Sequence, residues 1–375
     1  MFIVTAAAQT RSILGPPSEA NHFIETPKGW VHPKTAWGEP DLEGTYPVPG
    51  GINLVRTCPR AGGPGRGGPG GAPAAPAAPA APATPCDPNN PPLWSSDAEH
   101  KTAVDVAAGR GDLGRQLIEQ GNFGRALLSG VTDPITPYRQ RSTIVDPPTG
   151  KLPELTPEGM RRSQLMKSSW ALPGEVQSWD APEDFDSWDR CITRGMPTSM
   201  MAYRYNNGFK IFQAPGMVVI SHEMIHEDRI IYTDGRKPLP GVHKAYMGEP
   251  RGHWEGNTLV VVSTNYRPGP SGTNLGVYGT PQGIAGANRW PVSDQMKTTE
   301  RFTRLNNNFL LYEMKVEDPV IMQQSYTVRY PVPKDESYEW WEYACHEGNR
   351  TIRDYITTSR FERAQGSKGA VQAPK

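Results

Sequence analysis

The chain has 375 residues, and its 39 Lys and Arg balance 39 Asp and Glu, so the formal net charge is zero. This balance argues against a dedicated binder of nucleic acid or of anionic membranes, since both kinds of protein carry a basic excess. Gly and Pro number 39 each, so together they make up 78 of the 375 residues, or about 21%. Their average combined share in proteins is about 12%. Ten Trp can supply a core, and no apolar run approaches the roughly 18 residues that a membrane-spanning helix needs.

The N-terminal sequence contains three consecutive alanines, residues 6–8, of the kind that precede the cleavage point of a signal peptide. The apolar stretch before them, residues 2–4, is too short for a signal-peptide core, and no basic residue precedes it. A start site assigned too far downstream would leave such a remnant, whereas an ordinary frayed terminus is the alternative. Together with the cysteines discussed below, the remnant favours an exported protein, periplasmic or secreted.

Composition divides the chain into segments with different predicted roles. Residues 61–85 are rich in Gly and then repeat Pro-Ala-Ala, so they cannot bury enough apolar surface to offset the entropy lost on ordering. The predicted segments are an N-terminal remnant or tail (1–27), an extended packing segment (28–60), a low-complexity loop (61–86), an irregular or helical segment that packs on the core (87–190), an antiparallel β domain (191–362) and a polar tail (363–375).

Helical signals are few. The clearest helix is predicted from Thr156 to about Lys167, because Thr is a good N-cap, the Pro after it suits the first helical position, and the next residue, Glu, favours the positive end of the helix dipole. A short helix is also predicted over residues 350–365. Residues 142–145 have the composition of a strand.

From Cys191 onward, short apolar runs alternate with turn signals, which is typical of antiparallel strands. Helical patterns between these runs are scarce, which argues against a parallel α/β sheet. About seven to nine such strands predict a mainly β fold, either an antiparallel barrel, with a lipocalin-like barrel as one form, or a two-sheet sandwich. The predicted strands are Phe209–Gln213, Met217–Ile225, Arg229–Thr233, Thr258–Thr264, Thr298–Arg304, Phe309–Glu317, Tyr326–Tyr330 and Glu339–Cys345.

The chain has four cysteines, Cys58, Cys86, Cys191 and Cys345, and no two of them form a Cys-x-x-Cys pair, so a zinc ribbon or redox motif has no support. The first two flank the low-complexity run, and the last two lie at opposite ends of the β region. We predict disulfides 58–86 and 191–345, one of three connectivities that four cysteines allow. Buried free thiols are the alternative and would be usual in a cytosolic protein.

The string from His222 to His226 reads His-Glu-Met-Ile-His, a spacing with which a helix presents two imidazoles to zinc and a Glu as general base. The β-branched residues on both sides favour a strand instead. Four residues of strand span about 13 Å, too far for two bonds of about 2 Å to one metal ion. On a strand, His222, Met224 and His226 would share one face, and Glu223 would lie on the other. No metal site is therefore expected.

Two blocks of His and Glu supply candidate proton-transfer groups, one at the end of the predicted strand 217–225 and one after the predicted strand 339–345, where aromatic and acidic residues alternate. A carboxylate held against an aromatic ring can have a raised pKa and act as acid or base. Each of these residues can instead be structural. The predicted catalytic residues are His226, His346, Glu223 and Glu347, and the predicted substrate-binding residues are Tyr205, Asn206, Arg229, Trp341 and Tyr343.

Several blocks of the sequence together indicate a relationship. They include EMIHEDRII at 223–231, WEGNTLVV at 254–261, ERFTR at 300–304 and YACHEGN at 343–349. With these blocks the chain resembles a family of largely uncharacterised, mostly exported β-rich bacterial proteins, abundant in acidobacteria and also found in proteobacteria. The resemblance covers residues 40–44 and most of 142–360. It implies a β-rich exported domain with its polar blocks gathered at one site, and no particular activity.

Three functional hypotheses follow. The first is an enzyme that needs no cofactor and acts by general acid–base catalysis, as a lyase, isomerase or hydrolase, on a small aromatic or hydrophobic organic molecule. The second is a non-catalytic exported protein that binds a hydrophobic ligand or the cell envelope. The third and weakest is a zinc hydrolase. The predicted partner is a small molecule, without nucleic acid and without a transmembrane span, and the oligomeric state stays open.

Overall fold

A single large β-sheet organises the protein. The computed structural model describes residues 24, 26–48, 93, 94, 96, 98, 116, 119, 120, 139, 140, 142–167, 176–201, 206–268, 290–340, 342–366, 370 and 371. In chain order the strands are β1 (Gly44–Pro47), β2 (Ile144–Asp146), β3 (Val176–Gln177), β4 (Gly208–Ala214), β5 (Met217–His222), β6 (Asp228–Tyr232), β7 (Glu249–Glu255), β8 (Thr258–Thr264), β9 (Lys297–Arg304), β10 (Phe309–Glu317), β11 (Tyr326–Pro333) and β12 (Ala370–Val371).

Ten of these strands form one sheet in the order β1-β4-β5-β6-β7-β8-β9-β10-β11-β2. The sheet curls into a half-barrel, which confirms the predicted mainly β fold in its barrel-like form. Neighbouring strands are antiparallel except β6 and β7, which meet in parallel at Tyr232 and Arg251. Both edge strands, β1 and β2, come from outside residues 191–362, and β3 pairs with β12 in a separate small sheet.

The core lies on the concave side of the curled sheet. On β9, alternate residues are buried, as expected when one face of a strand packs on a core. Phe302, Tyr312 and Tyr330 are direct cross-strand neighbours, and their ring centroids lie 5.0 and 5.4 Å apart. Aromatic pairs of this kind each contribute about 0.5–1.5 kcal/mol beyond their buried area.

Within the described residues, the α-helices with complete bounds are α1 (Pro157–Leu165), α2 (Cys345–Gly348) and α3 (Thr351–Ala364). The predicted N-cap of α1 is confirmed, because Thr156 Oγ1 accepts a hydrogen bond of 2.9 Å from Gly159 N. Helix α3 matches the helix predicted over 350–365. Within the described ranges no helix combines the length and the apolar composition needed to cross a bilayer.

The strand predicted over Met217–Ile225 is too long. Strand β5 ends at His222, and Met224–His226 form a 3-10 turn in which Ile225 has φ 66° and His226 has φ 52°. His222 N donates to Glu227 O over 3.0 Å, which closes the connection from β5 to β6. The prediction that residues 222, 224 and 226 share one face of a strand is therefore wrong.

The strand predicted over Glu339–Cys345 is also wrong. Its described residues 339, 340 and 342–344 are irregular, and α2 begins at Cys345. Side chains of this segment pack on separate neighbours: Lys210 Nζ lies 4.8 Å from the centre of the Trp340 ring, and Tyr343 packs against the buried cluster of Trp188 and Met224. Alternation of aromatic and acidic residues suits such a connection as well as it suits a strand.

Candidate functional site

Glu223 is the first residue after β5, and its side chain is fully buried. Its carboxylate accepts hydrogen bonds from three parts of the chain: Asn206 Nδ2 donates to Oε1 over 3.0 Å, while Gly208 N and Tyr338 Oη donate to Oε2 over 3.3 and 2.8 Å. Hydrogen bonds to a charged acceptor are stronger than neutral ones. The carboxylate is therefore held in one place between the start of β4, the end of β5 and the segment after β11.

Local backbone features allow this close approach. Asn206 has φ 44°, a left-handed conformation that Asn tolerates better than most residues. Gly208 follows at the start of β4, where a Cβ atom would lie 3.1 Å from the ring of Tyr338 and 3.2 Å from Oε2 of Glu223. A side chain at position 208 would press on both groups, so glycine keeps the tyrosine hydroxyl within reach of the carboxylate.

A small cavity lies beside this carboxylate. Its volume is about 10 Å³, and its lining residues are Arg194, Ser199, Asn206, Asn207, Gly208, His222 and Met224. Two of them, Asn206 and Gly208, also donate to Glu223. A cavity of this size holds a group about as large as one water molecule.

His222, the last residue of β5, contributes a buried imidazole to the cavity. Its side chain is packed beside Phe209, its cross-strand neighbour, at a ring-centroid distance of 6.4 Å. Nε2 has no hydrogen-bond partner among the described residues. Burial, followed by the charges of Arg229 and Arg194, lowers the pKa of His222 to about 3. The imidazole is therefore neutral at physiological pH and offers one donor and one acceptor nitrogen.

Arg194 supplies a positive charge to the same cavity. It is buried, its Nη1 donates to Asn207 Oδ1 over 3.5 Å, and its guanidinium carbon lies 5.9 Å from the centre of the Trp188 ring. Contact with an aromatic face favours a cation. The cavity thus brings together a guanidinium, a neutral imidazole and two side-chain amides, with the carboxylate of Glu223 one contact away.

Arg229, predicted to bind substrate, is fully buried in the interior of the half-barrel and does not line the cavity. Both side chains of the Arg229–Glu300 pair are fully buried, with Nη1 donating to Oε1 over 2.9 Å and Nη2 donating to Oε2. Tyr312 Oη also donates to Glu300 Oε1, over 2.8 Å. Burial alone would lower the pKa of Arg229, but Glu300 outweighs it and raises that pKa above its ordinary value.

Four further predicted residues, His226, Tyr343, His346 and Glu347, lie in the segment that contains Cys345 or contact that segment. Cys191 and Cys345 form a disulfide, as predicted. His226 is exposed, and its Nε2 accepts a hydrogen bond of 3.3 Å from Tyr343 N. His346 and Glu347 lie on α2, and both are exposed.

The structure therefore brings Glu223 and Asn206 together, and His226 and Tyr343 together. It gives His346 and Glu347 solvent-exposed positions. Tyr205, Trp341, Cys58 and Cys86 lie outside the described residues.

The zinc-binding spacing of residues 222–226 is not realised as a helix, because a 3-10 turn with left-handed residues follows β5. Across the described parts of the chain, no three His, Cys, Asp or Glu side chains come together in a way that could hold a metal ion.

Most of the cavity lining was missed from the sequence, including His222, which was considered only as part of a zinc-binding spacing. Two further residues, Tyr338 and Arg194, were not considered at all. Tyr338 follows the last strand of the large sheet and is 115 positions from its partner Glu223. Arg194 stands in an irregular stretch after Cys191. Neither residue belongs to a short motif with a known spacing, so no local signal points to either.

Comparison with known proteins adds little to this geometry. No protein-family model and no curated protein matches the chain. Among solved structures, it is similar to a "secretary abundant heat soluble (SAHS) protein" from Ramazzottius varieornatus, with 13% sequence identity, 44% of this chain and 98% of that chain covered, and a TM-score of 0.22. The family resemblance of the sequence blocks stays a prediction.

Proposed function

We propose that the protein is an enzyme that acts on a small organic molecule by general acid–base catalysis, with Glu223 as its proton-transfer group. The observation that supports this proposal is a fully buried carboxylate that accepts hydrogen bonds from two lining residues of a cavity, Asn206 and Gly208, while a buried neutral imidazole also lines that cavity. Titratable groups placed in different environments at one site are typical of acid–base catalysis. Lyase, isomerase and hydrolase reactions all fit, and none of them requires a cofactor for proton transfer.

The surrounding residues have distinct roles in this proposal. Tyr338 and Asn206 hold the carboxylate of Glu223 through their hydrogen bonds, and Asn206 also faces the cavity, where it can contact substrate. His222 offers the substrate a neutral hydrogen-bonding nitrogen. His226, His346 and Glu347 remain predicted proton-transfer residues on the solvent side, with Tyr343 beside His226.

Export to the periplasm or the cell exterior belongs to the same proposal. The disulfide between Cys191 and Cys345 supports it, since disulfides persist in oxidising compartments and are rare in the cytosol. Membership of the exported bacterial family named above would give the same location.

The test begins with the unaltered protein incubated with a metabolite mixture, followed by mass spectrometry to find the compound consumed. Glu223→Gln keeps the shape of the side chain and removes its basicity, so we expect turnover of that compound to fall about 10²–10⁴-fold. Glu342→Gln, at an exposed position, is the matched control and should retain full turnover.

Circular dichroism and the melting temperature would show whether each variant is folded. If Glu223→Gln does not fold, Glu223→Asp replaces it, because this change keeps the charge but withdraws the carboxylate by one methylene. A folded Glu223 variant with unaltered turnover would refute the assignment.

A non-catalytic exported binding protein is the second candidate. Two observations favour it: the hydrogen bonds of Glu223 join separate parts of the chain, as a structural residue would, and the cavity is only about 10 Å³. In that case one or more compounds of the metabolite mixture would stay bound to the protein, and none would be consumed. Recovery of an unmodified hydrophobic compound, or co-sedimentation with cell-envelope fractions, would identify this function.

A further inference from the structure

We infer that the cavity bordered by Arg194 and His222 binds the carboxylate group of a small organic acid. This inference deepens the proposed function and rests on it, because the acid would be the substrate on which Glu223 acts. It names a substrate class that the acid–base mechanism alone does not specify.

The chemistry of the lining favours an anion. Of the lining residues, Arg194 carries the formal charge, and the others are neutral side chains or glycine. Ser199, Asn206 and Asn207 contribute a hydroxyl and two amides, groups that can donate hydrogen bonds to an oxygen. A guanidinium pairs with a carboxylate through strong, oriented hydrogen bonds.

His222 is the second observation that points to a ligand. His222 is only 5% exposed and lines the cavity, and its Nε2 has no hydrogen-bond partner among the described residues. A buried polar atom of this kind normally has a hydrogen-bond partner, because leaving it unpaired costs the free energy of removing it from water without compensation. With a proton on Nε2, the neutral imidazole donates to a carboxylate oxygen placed in the cavity.

The carboxylate of Glu223 does not compete for this position. Its two oxygens already accept hydrogen bonds from Asn206, Gly208 and Tyr338, and Glu223 itself is not one of the lining residues. The negative charge is thus held by its own donors, while Arg194 is one of the residues that line the cavity.

The size of the cavity determines how much of the acid enters. A volume of about 10 Å³ accommodates a single oxygen-sized group. One carboxylate oxygen would therefore occupy the cavity, and the organic part of the acid would lie outside it. Ser199, Asn206 and Asn207 are the half-buried residues of the lining, so the acid approaches from their side.

The inference is tested by calorimetry with two pairs of probes, acetate with acetamide and benzoate with benzamide. The members of each pair have similar shapes, and only the acid is charged. We expect the unaltered protein to bind at least one acid 10-fold or more tightly than its amide. Arg194→Met should abolish this preference, and Arg353→Met, which removes a guanidinium that is 72% exposed, should preserve it.

Equal binding of acid and amide by the unaltered protein, or absence of binding by both acids, overturns the inference. So does an effect of sodium chloride that matches that of the acids at equal ionic strength. The comparison of acid and amide needs no variant, so it decides the question even if Arg194→Met does not fold. His222→Gln, folded by circular dichroism, should weaken binding of the acid about 5-fold or more, and unchanged binding would remove His222 from the site.

Glu223→Gln separates this inference from the proposed function. It should bind the acid at least as tightly as the unaltered protein does, because it removes a neighbouring negative charge, while it loses turnover. If Glu223→Gln retains turnover and the protein clearly prefers the acid, the catalytic role of Glu223 is refuted and the carboxylate site is kept. If Glu223→Gln loses turnover but the protein shows no preference for the acid over its amide, the carboxylate site is refuted and the catalytic role of Glu223 is kept.

Discussion

Arg229 and Glu300 form a bidentate ion pair in the interior of the half-barrel, where neither side chain is accessible to solvent. Arg229 lies on β6 and Glu300 on β9, strands that are separated in the sheet by β7 and β8. The pair therefore spans the concave side of the curled sheet and connects its two halves.

Glu300→Gln should destabilise the protein strongly. It leaves the guanidinium of Arg229 buried without its counter-charge, and loss of one partner of a buried pair costs about 3–5 kcal/mol. Urea unfolding would measure the loss. Tyr312→Phe removes only one hydrogen bond to Glu300 and should cost about 1.5–3 kcal/mol. An effect of Glu300→Gln below that of Tyr312→Phe would contradict the central role of the pair.

Tyr338→Phe tests the contact that holds Glu223 in place. The change removes one hydrogen bond of 2.8 Å to a charged acceptor, and we expect a loss of about 1.5 kcal/mol, at the lower end of the usual range because Tyr338 is half-buried. The free energy of unfolding in urea is the measurement. Tyr246→Phe, whose ring stacks with Arg267, is the control and should be neutral. Equal stability of both variants would mean that Tyr338 does not fix the carboxylate.

Much of the sheet is predictable from local signals. Strand β8 has the predicted bounds, Thr258–Thr264, because a run of Val and Thr follows the turn at Gly256. The bounds of β9 and β10 also agree closely with the predicted strands Thr298–Arg304 and Phe309–Glu317, and the Asn residues at 306–308 between them suit the tight turn of the hairpin that they form. In these strands the local sequence favours the same structure that the pairing with neighbouring strands requires.

The site is not predictable in the same way. Glu223 receives hydrogen bonds from residues 15, 17 and 115 positions away. Strand β5 ends at His222, next to these contacts, although the run of β-branched residues predicted a strand as far as Ile225. Residues 339–345 alternate like a strand but lack a strand partner in the described structure. Edge strand β1 joins β4 from more than 150 positions away, Gly44 with Ile211. Such pairings form between segments that are far apart in the chain, so the pattern of residues within either segment does not reveal them.

His222 should make the protein less stable in acid. Its pKa is lowered to about 3 in the folded state, first by burial, whereas an unfolded chain protonates it near pH 6.5. Its contribution to stability is therefore fully present above pH 6.5 and is lost as the pH falls towards 3. From pH 6.5 to 4, the unaltered protein should lose about 3 kcal/mol more than His222→Gln does.

Urea unfolding at a series of pH values measures that difference, and titration of all other groups is common to both proteins. His243→Gln, at an exposed position, is the control and should follow the unaltered protein at every pH. Parallel curves for His222→Gln and the unaltered protein would show that the imidazole is not held neutral.

The disulfide between Cys191 and Cys345 should contribute substantially to stability. It joins cysteines that are 154 positions apart in the sequence. Loss of a native disulfide costs about 2–5 kcal/mol, largely through the entropy of the unfolded chain in the usual model. It also fixes the segment that carries Tyr343, whose N–H donates to His226. Cys191→Ala/Cys345→Ala should therefore unfold at lower urea, and amides of 343–349 should exchange faster.

Thiol labelling gives an independent check of that disulfide. In the native protein, purified aerobically, Cys191 and Cys345 should resist alkylation until a dithiol reductant is added, and peptide mapping would assign each labelled site. Leu165→Ala is a matched surface control, because this side chain is 71% exposed and its truncation should leave both urea unfolding and exchange at 343–349 unchanged. Alkylation of Cys191 and Cys345 without reductant would show that the bond does not form, and the support it gives to export would then be lost.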